Sequence, residues 1–99
     1  MIISLGSDHA GFEQKDALAA FLVDEGHDVV DRGPENDDRV DYPDYALRVA
    51  RDVAEGAADY GILVCGTGIG MAMAADKVNS LRFVANITMP TFSRSLGVS

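Results

Sequence analysis

Only one cysteine, Cys65, occurs in these 99 residues, and there is no tryptophan, only three prolines and half as many basic residues (8) as acidic ones (16). A lone cysteine closes no disulfide within the chain, which fits a reduced, cytoplasmic setting. The formal net charge of −8 argues against nucleic acid and against anionic membrane surfaces as partners. No apolar run approaches the ~20 residues that span a bilayer. Met1-Ile2-Ile3-Ser4 has no basic n-region, so no signal peptide is expected. No His/Cys cluster has zinc spacing, and no metal is expected. What remains is a chain with 47 % hydrophobic and 24 % charged residues, the composition of one globular domain over residues 1–99.

The acidity is uneven. Residues 1–59 carry 15 acids and 5 bases, whereas residues 60–99 carry Asp76 against Lys77, Arg82 and Arg94. A solvated acidic surface on the first two helices accounts for most of this. The second part is nevertheless the one that tolerates an anionic ligand.

Ile2-Ile3-Ser4-Leu5 reads as a short buried strand, and Ser7 or Asp8 is placed to cap a helix that stops at Gly26. His27 to Asp31 is a second strand, followed by a loop through Arg39. A second helix starts near Pro43. Its Ala46, Val49, Ala50, Val53 and Ala54 form the clearest helical stripe in the chain. Tyr60 to Val64 is a third strand, Gly70 to Val78 reads as a third, buried helix ended by Asn79, and Leu81 to Ile87 as a fourth strand. Alternating strands and helices predict a parallel sheet covered on both faces. Ligands bind such sheets where the strand order reverses. If strands one and three are neighbours there, Asp8-His9 and Cys65-Gly66-Thr67 share one crevice.

The stretch Cys65-Gly66-Thr67-Gly68-Ile69-Gly70 is the richest in chemistry. Its glycines permit a tight turn with N–H groups near a ligand. A helix starting at Gly70 would add its positive end, making an anion site and lowering the pKa of Cys65. A nucleophile or base then stands beside an anion hole. The competing readings are a buried structural cysteine, glycines serving only helix-on-strand packing, and Thr67 as a plain helix cap. Asp8 competes likewise as a cap, and Tyr42 as an extension of the apolar stripe. His9, on a strand-end loop, is better placed for chemistry than His27. A dinucleotide fingerprint, a P-loop and a cysteine-phosphatase loop all fail by position, the first and last because Met71 stands where glycine or arginine is needed.

Gly6-Ser7-Asp8-His9-Ala10-Gly11-Phe12, Asp41-Tyr42-Pro43-Asp44-Tyr45-Ala46 and Cys65-Gly66-Thr67-Gly68-Ile69-Gly70-Met71, in this order, resemble the type B ribose-5-phosphate isomerase family, which includes galactose-6-phosphate isomerases. The resemblance runs from Met1 to about Arg82. It implies an α/β fold, a three-layer α/β/α sandwich with a Rossmann-like parallel sheet, here truncated after about four strands. It also implies a cofactor-free aldose–ketose isomerisation of a phosphorylated sugar, D-ribose 5-phosphate to D-ribulose 5-phosphate, within the pentose phosphate pathway. Cys65 matches the general base, with Thr67 beside it as the other catalytic candidate. Asp8, His9 and Tyr42 match sugar contacts, and Gly66, Gly68, Ile69 and Gly70 the turn that stabilises the enediolate. A homodimer or higher oligomer is expected. The family's His-Asn pair, its late phosphate-binding arginines and its closing elements have no counterpart here, and Arg94 falls too early for that role. A non-catalytic sugar-phosphate-binding or interaction module is therefore the alternative expectation, and a thiol redox sensor a weaker one.

Overall fold

The computed structural model describes residues 1–33 and 42–88, apart from the side chains of His9 and of residues 42–44. Its centre is β1 (Ile2–Ser7), whose last five residues are all buried. An apolar strand lying between two others has no wet face, which explains its nearly continuous hydrophobic run. It pairs in parallel with β2 (Asp28–Asp31) on one side and with β3 (Tyr60–Val64) on the other. Between β1 and β2 runs α1 (Phe12–Asp24), preceded by one 3-10 turn at His9–Gly11; between β2 and β3 lies α2 (Tyr42–Ala54).

Side chains alternate across a strand, so β3 divides its residues between two cores. Ile62 and Val64 join Ile3, Leu5 and Leu18 under α1, whereas Leu63 joins Tyr45, Val49 and Val53 under α2. The two helices thus cover opposite faces, and the three-layer α/β/α arrangement stands. Strand order β2-β1-β3 reverses direction at β1. The C-terminal ends of β1 and β3 therefore open side by side, as the alternation predicts.

Beyond β3 the expectation fails. In place of a third helix over Gly70–Val78 there is a strand, β4 (Ile69–Asp76), antiparallel to β3, and β5 (Ser80–Thr88) is antiparallel to β4. The sheet is mixed and has five strands. Met71 through Ala75 is small and apolar without a decisive period. Read with period two, it sends Met71 and Met73 toward α2 and Ala72 to the α1 side. Two reversals settle the choice. Gly68, at φ +87°, turns the chain tightly, with the Cys65 N–H donating to Ile69 O at 2.9 Å and the Gly68 N–H to Cys65 O at 3.0 Å. At the far end the Asp76 carboxylate accepts from the Val78 and Asn79 N–H groups at 2.8 and 3.0 Å. The residue with positive φ there is Ser80, not Asn79.

A buried polar cluster fastens α2 to the sheet. Ser4 Oγ donates to Asp52 Oδ2 at 2.8 Å, and Arg32 grips the same carboxylate through Nε at 2.7 Å and Nη2 at 2.8 Å. The Arg32 hydrogen bond holds the Asp52 carboxyl below the usual range against the opposing effect of burial, and Ser4 adds to the lowering. A depressed carboxylate contributes stability above its unfolded pKa of about 3.9 and loses it as pH falls through the folded value. Asp52→Ala should cost about 2 kcal/mol near pH 7, since it also strands the buried Ser4 hydroxyl. Urea midpoints of the two proteins should converge as pH drops below about 4; a gap constant from pH 7 to pH 3 would refute the linkage.

Candidate active site

The site gathers where β1 and β3 end. After Ser7 the chain turns through Asp8 into the 3-10 turn. The Asp8 N–H donates to Val64 O at 3.3 Å, tying the first loop to the end of β3. The Asp8 side chain does more. Its Oδ1 accepts the Gly11 N–H at 2.7 Å, and its Oδ2 accepts the Gly66 N–H at 3.4 Å, a long contact. The expected cap on α1 is not there, since its N-cap is Gly11 with no side-chain hydrogen bond; Asp8 instead closes the 3-10 turn ahead of the helix and reaches across to the second loop.

This approach is possible only because side chains are missing. A Cβ placed on Gly66 would lie 2.3 Å from Ala10 Cβ, and one on Gly11 would lie 2.9 Å from Val64 O and 3.0 Å from Asp8 Oδ1. Gly66 is thus needed for contact between the loops, not for packing a helix on a strand.

The structure brings Cys65 and Asp8 together, close enough for the carboxylate's charge to act on the thiol. The acidity expected of Cys65 is overturned. With β4 in place of a helix there is no positive helix end beside the sulfur. Burial first, and the Asp8 charge second, push the Cys65 thiol up from its ordinary value. The side chain is half-buried, so it is not sealed in the core.

The remaining candidates distribute as follows. Thr67 lies exposed in the turn between β3 and β4, where there is no helix for it to cap. Ile69 and Gly70 are the first residues of β4 rather than a first helical turn; Ile69 pairs with Thr88 and Gly70 with Val64. The turn's own carbonyls take the Cys65 and Gly68 N–H groups and the Asp8 carboxylate takes that of Gly66, so the proposed cradle narrows to Thr67. The backbones of His9 and Tyr42 stand at the 3-10 turn and at the start of α2; their side chains, and Arg94, lie outside the described residues. Among the described residues no group of three or more His, Cys, Asp or Glu side chains is arranged to hold a metal, and no helix is long and apolar enough to cross a membrane.

Two polar groups near the site were not anticipated. Ser7 Oγ and Gln14 Oε1 are buried without a hydrogen-bond partner among the described residues. Ser7 directly precedes Asp8, and Gln14 Nε2 sits 3.7 Å from where a Gly68 Cβ would be. No motif in the sequence marks Gln14. It is one polar residue on an otherwise ordinary helix.

The electrostatics give a direct expectation. Alkylation of Cys65 by iodoacetamide should rise with pH to beyond pH 9, and Asp8→Asn should shift that profile to lower pH while burial keeps it above an ordinary thiol's. An unchanged profile, or one moved upward, would show that the carboxylate does not act on the sulfur.

A family model described as Ribose/Galactose Isomerase matches residues 3–94. Ribose-5-phosphate isomerase B of Escherichia coli is 48 % identical over 82 residues, 83 % of this chain and 55 % of that protein. Galactose-6-phosphate isomerase subunit LacB of Clostridium acetobutylicum is 39 % identical over 82 residues, covering 83 % of this chain and 47 % of its own. Among solved structures, ribose-5-phosphate isomerase B of Clostridium thermocellum superposes with a TM-score of 0.66 at 47 % identity, over 69 % of this chain and 46 % of that one. The chain spans about half the length of these relatives. The matched range includes both loops of the site, and the chain belongs to the ribose/galactose isomerase family.

Proposed function

We propose that the chain supplies an aldose–ketose isomerase site that interconverts D-ribose 5-phosphate and D-ribulose 5-phosphate, or a related sugar phosphate, through an enediolate. The observation that carries this is the meeting of Cys65 and Asp8 from separate loops at the C-terminal ends of β1 and β3. Relatives named for ribose 5-phosphate and galactose 6-phosphate isomerisation support the substrate class. In this reading residues 1–99 form one domain, act as a homodimer or higher oligomer in the cytoplasm, and use no metal or cofactor.

The Cys65 thiolate takes the proton from C2 of the open-chain aldose. The C–H electrons form the C1–C2 double bond, and the carbonyl π electrons move onto O1. The O2 proton passes to O1, the O2 electrons form the C2 carbonyl, and the C1–C2 π electrons take the proton back from the Cys65 thiol at C1, which gives the ketose. The base must stand within hydrogen-bond reach of the carbon acid. The Thr67 N–H would meet the charge on O1, charge that exists only along the reaction path. Asp8 orients the Gly66 N–H and, with His9 and Tyr42, contacts the sugar; Gly68, Ile69 and Gly70 shape the turn.

The raised Cys65 pKa sets the sign of the pH dependence, because the base is the minor, deprotonated form at neutral pH. Ribulose 5-phosphate formation in a coupled assay should rise with pH through 8 to 9. Cys65→Ala should lower it by about 10²- to 10⁴-fold. Equal rates from both proteins would remove Cys65 as the base. A thiol held in its protonated form also favours the second reading, a sugar-phosphate-binding module without turnover. In that case ribose 5-phosphate would bind equally to both proteins and neither would convert it.

A further inference from the structure

Gln14 lies in the first turn of α1 (Phe12–Asp24), against the apex of the turn that carries Cys65. The nearest group to a Cβ built on Gly68 is its Nε2, at 3.7 Å, an ordinary van der Waals separation. Gly68 in turn donates its N–H to Cys65 O at 3.0 Å. Gln14 therefore faces the same five-residue reversal that presents the sulfur, across the space that a side chain at position 68 would enter.

Shape alone does not call for an amide. Leucine has a similar volume and would leave no polar atom behind. Gln14 Oε1 is buried and has no donor among the described residues, and an unsatisfied buried acceptor costs more than an apolar group in its place. Buried polar groups in native proteins find partners, and the exceptions cluster where the partner arrives with a ligand. The carboxamide also has both chemistries available. A half-turn about its last torsion exchanges oxygen and nitrogen, so it can offer an acceptor or a donor toward the turn.

We propose that Gln14 is a substrate-reading residue of the Cys65 site, its carboxamide taking a hydrogen bond from a hydroxyl of the bound sugar phosphate. The assignment rests on the isomerase reading above. It assigns Gln14 to binding and specificity, and it leaves proton transfer to Cys65.

The test uses the full chain and ribose 5-phosphate as the probe, with protection of Cys65 from iodoacetamide at pH 9 as the readout. In the wild type, ribose 5-phosphate should slow alkylation saturably. In Gln14→Leu the half-protecting concentration should rise about tenfold, the value of one neutral hydrogen bond. The alkylation rate without sugar should stay within about twofold, and the urea midpoint should hold or increase because the stranded oxygen is gone. Protection identical in Gln14→Leu would overturn the assignment and leave the isomerase reading intact. A lower urea midpoint for Gln14→Leu would also overturn it, since the amide would then be satisfied within the fold. No protection in the wild type at any concentration would remove the isomerase reading together with this assignment.

Discussion

One carboxylate joins two loops that lie 58 residues apart in the sequence. Asp8 accepts the Gly11 N–H of its own turn and the Gly66 N–H of the other, while its main-chain N–H reaches the last residue of β3. A residue that closes a single 3-10 turn also becomes the clamp between two strand ends. The same charge works against the neighbouring thiol by disfavouring the thiolate. Geometry and reactivity are therefore set by one side chain with opposite signs: Asp8 organises the loop that presents Cys65 and makes its sulfur harder to ionise.

Away from the site, each face of the sheet carries an ion pair that fixes a helix to β2 or the residue after it. On the α1 face Lys15, fully buried, binds both oxygens of Asp31 at 2.7 and 2.6 Å. On the α2 face Arg32 binds Asp52. Consecutive residues at the end of β2 thus hold the two helices from opposite sides. Asp31 also accepts the Gly33 N–H at 2.9 Å, and the Gly33 carbonyl accepts the Ser7 N–H at 3.0 Å. The end of β1, just before Asp8, is anchored through this chain of contacts. Ion pairs of this kind fix position more than they add stability.

The parts of the fold legible in the sequence are those where side-chain period and length agree. Tyr60–Val64 has the bounds expected of it, and the stripe of α2 from Ala46 to Val53 faces the sheet as the spacing requires, whereas Ala54, expected to continue it, is exposed. The placing of Asp8 beside Cys65 followed from topology, because two parallel neighbours must end on the same side. Met71 to Ala75 was not legible, since methionine and alanine serve either period. The decision lay in Gly68, in the Asp76 turn and in pairing with β5, none of which is local to the segment. The error then propagated. An acidic Cys65 was expected from a helix end, and without that helix burial and the Asp8 charge, among the described residues, push the thiol the other way. The ion pairs escaped for a different reason. Lys15 looks like any solvent-facing residue until the fold places Asp31 over it.

The 2.3 Å gap between Ala10 Cβ and a methyl group on Gly66 has an evolutionary consequence. Positions 10 and 66 form a single steric unit, and neither is free to drift alone. A lineage that enlarges residue 66 must first shrink residue 10 to glycine, and the Ala10 main chain at 3.2 Å leaves little room even then. Substitutions at the two sites should therefore arise as linked pairs, with the order of the two steps dictated by van der Waals radii.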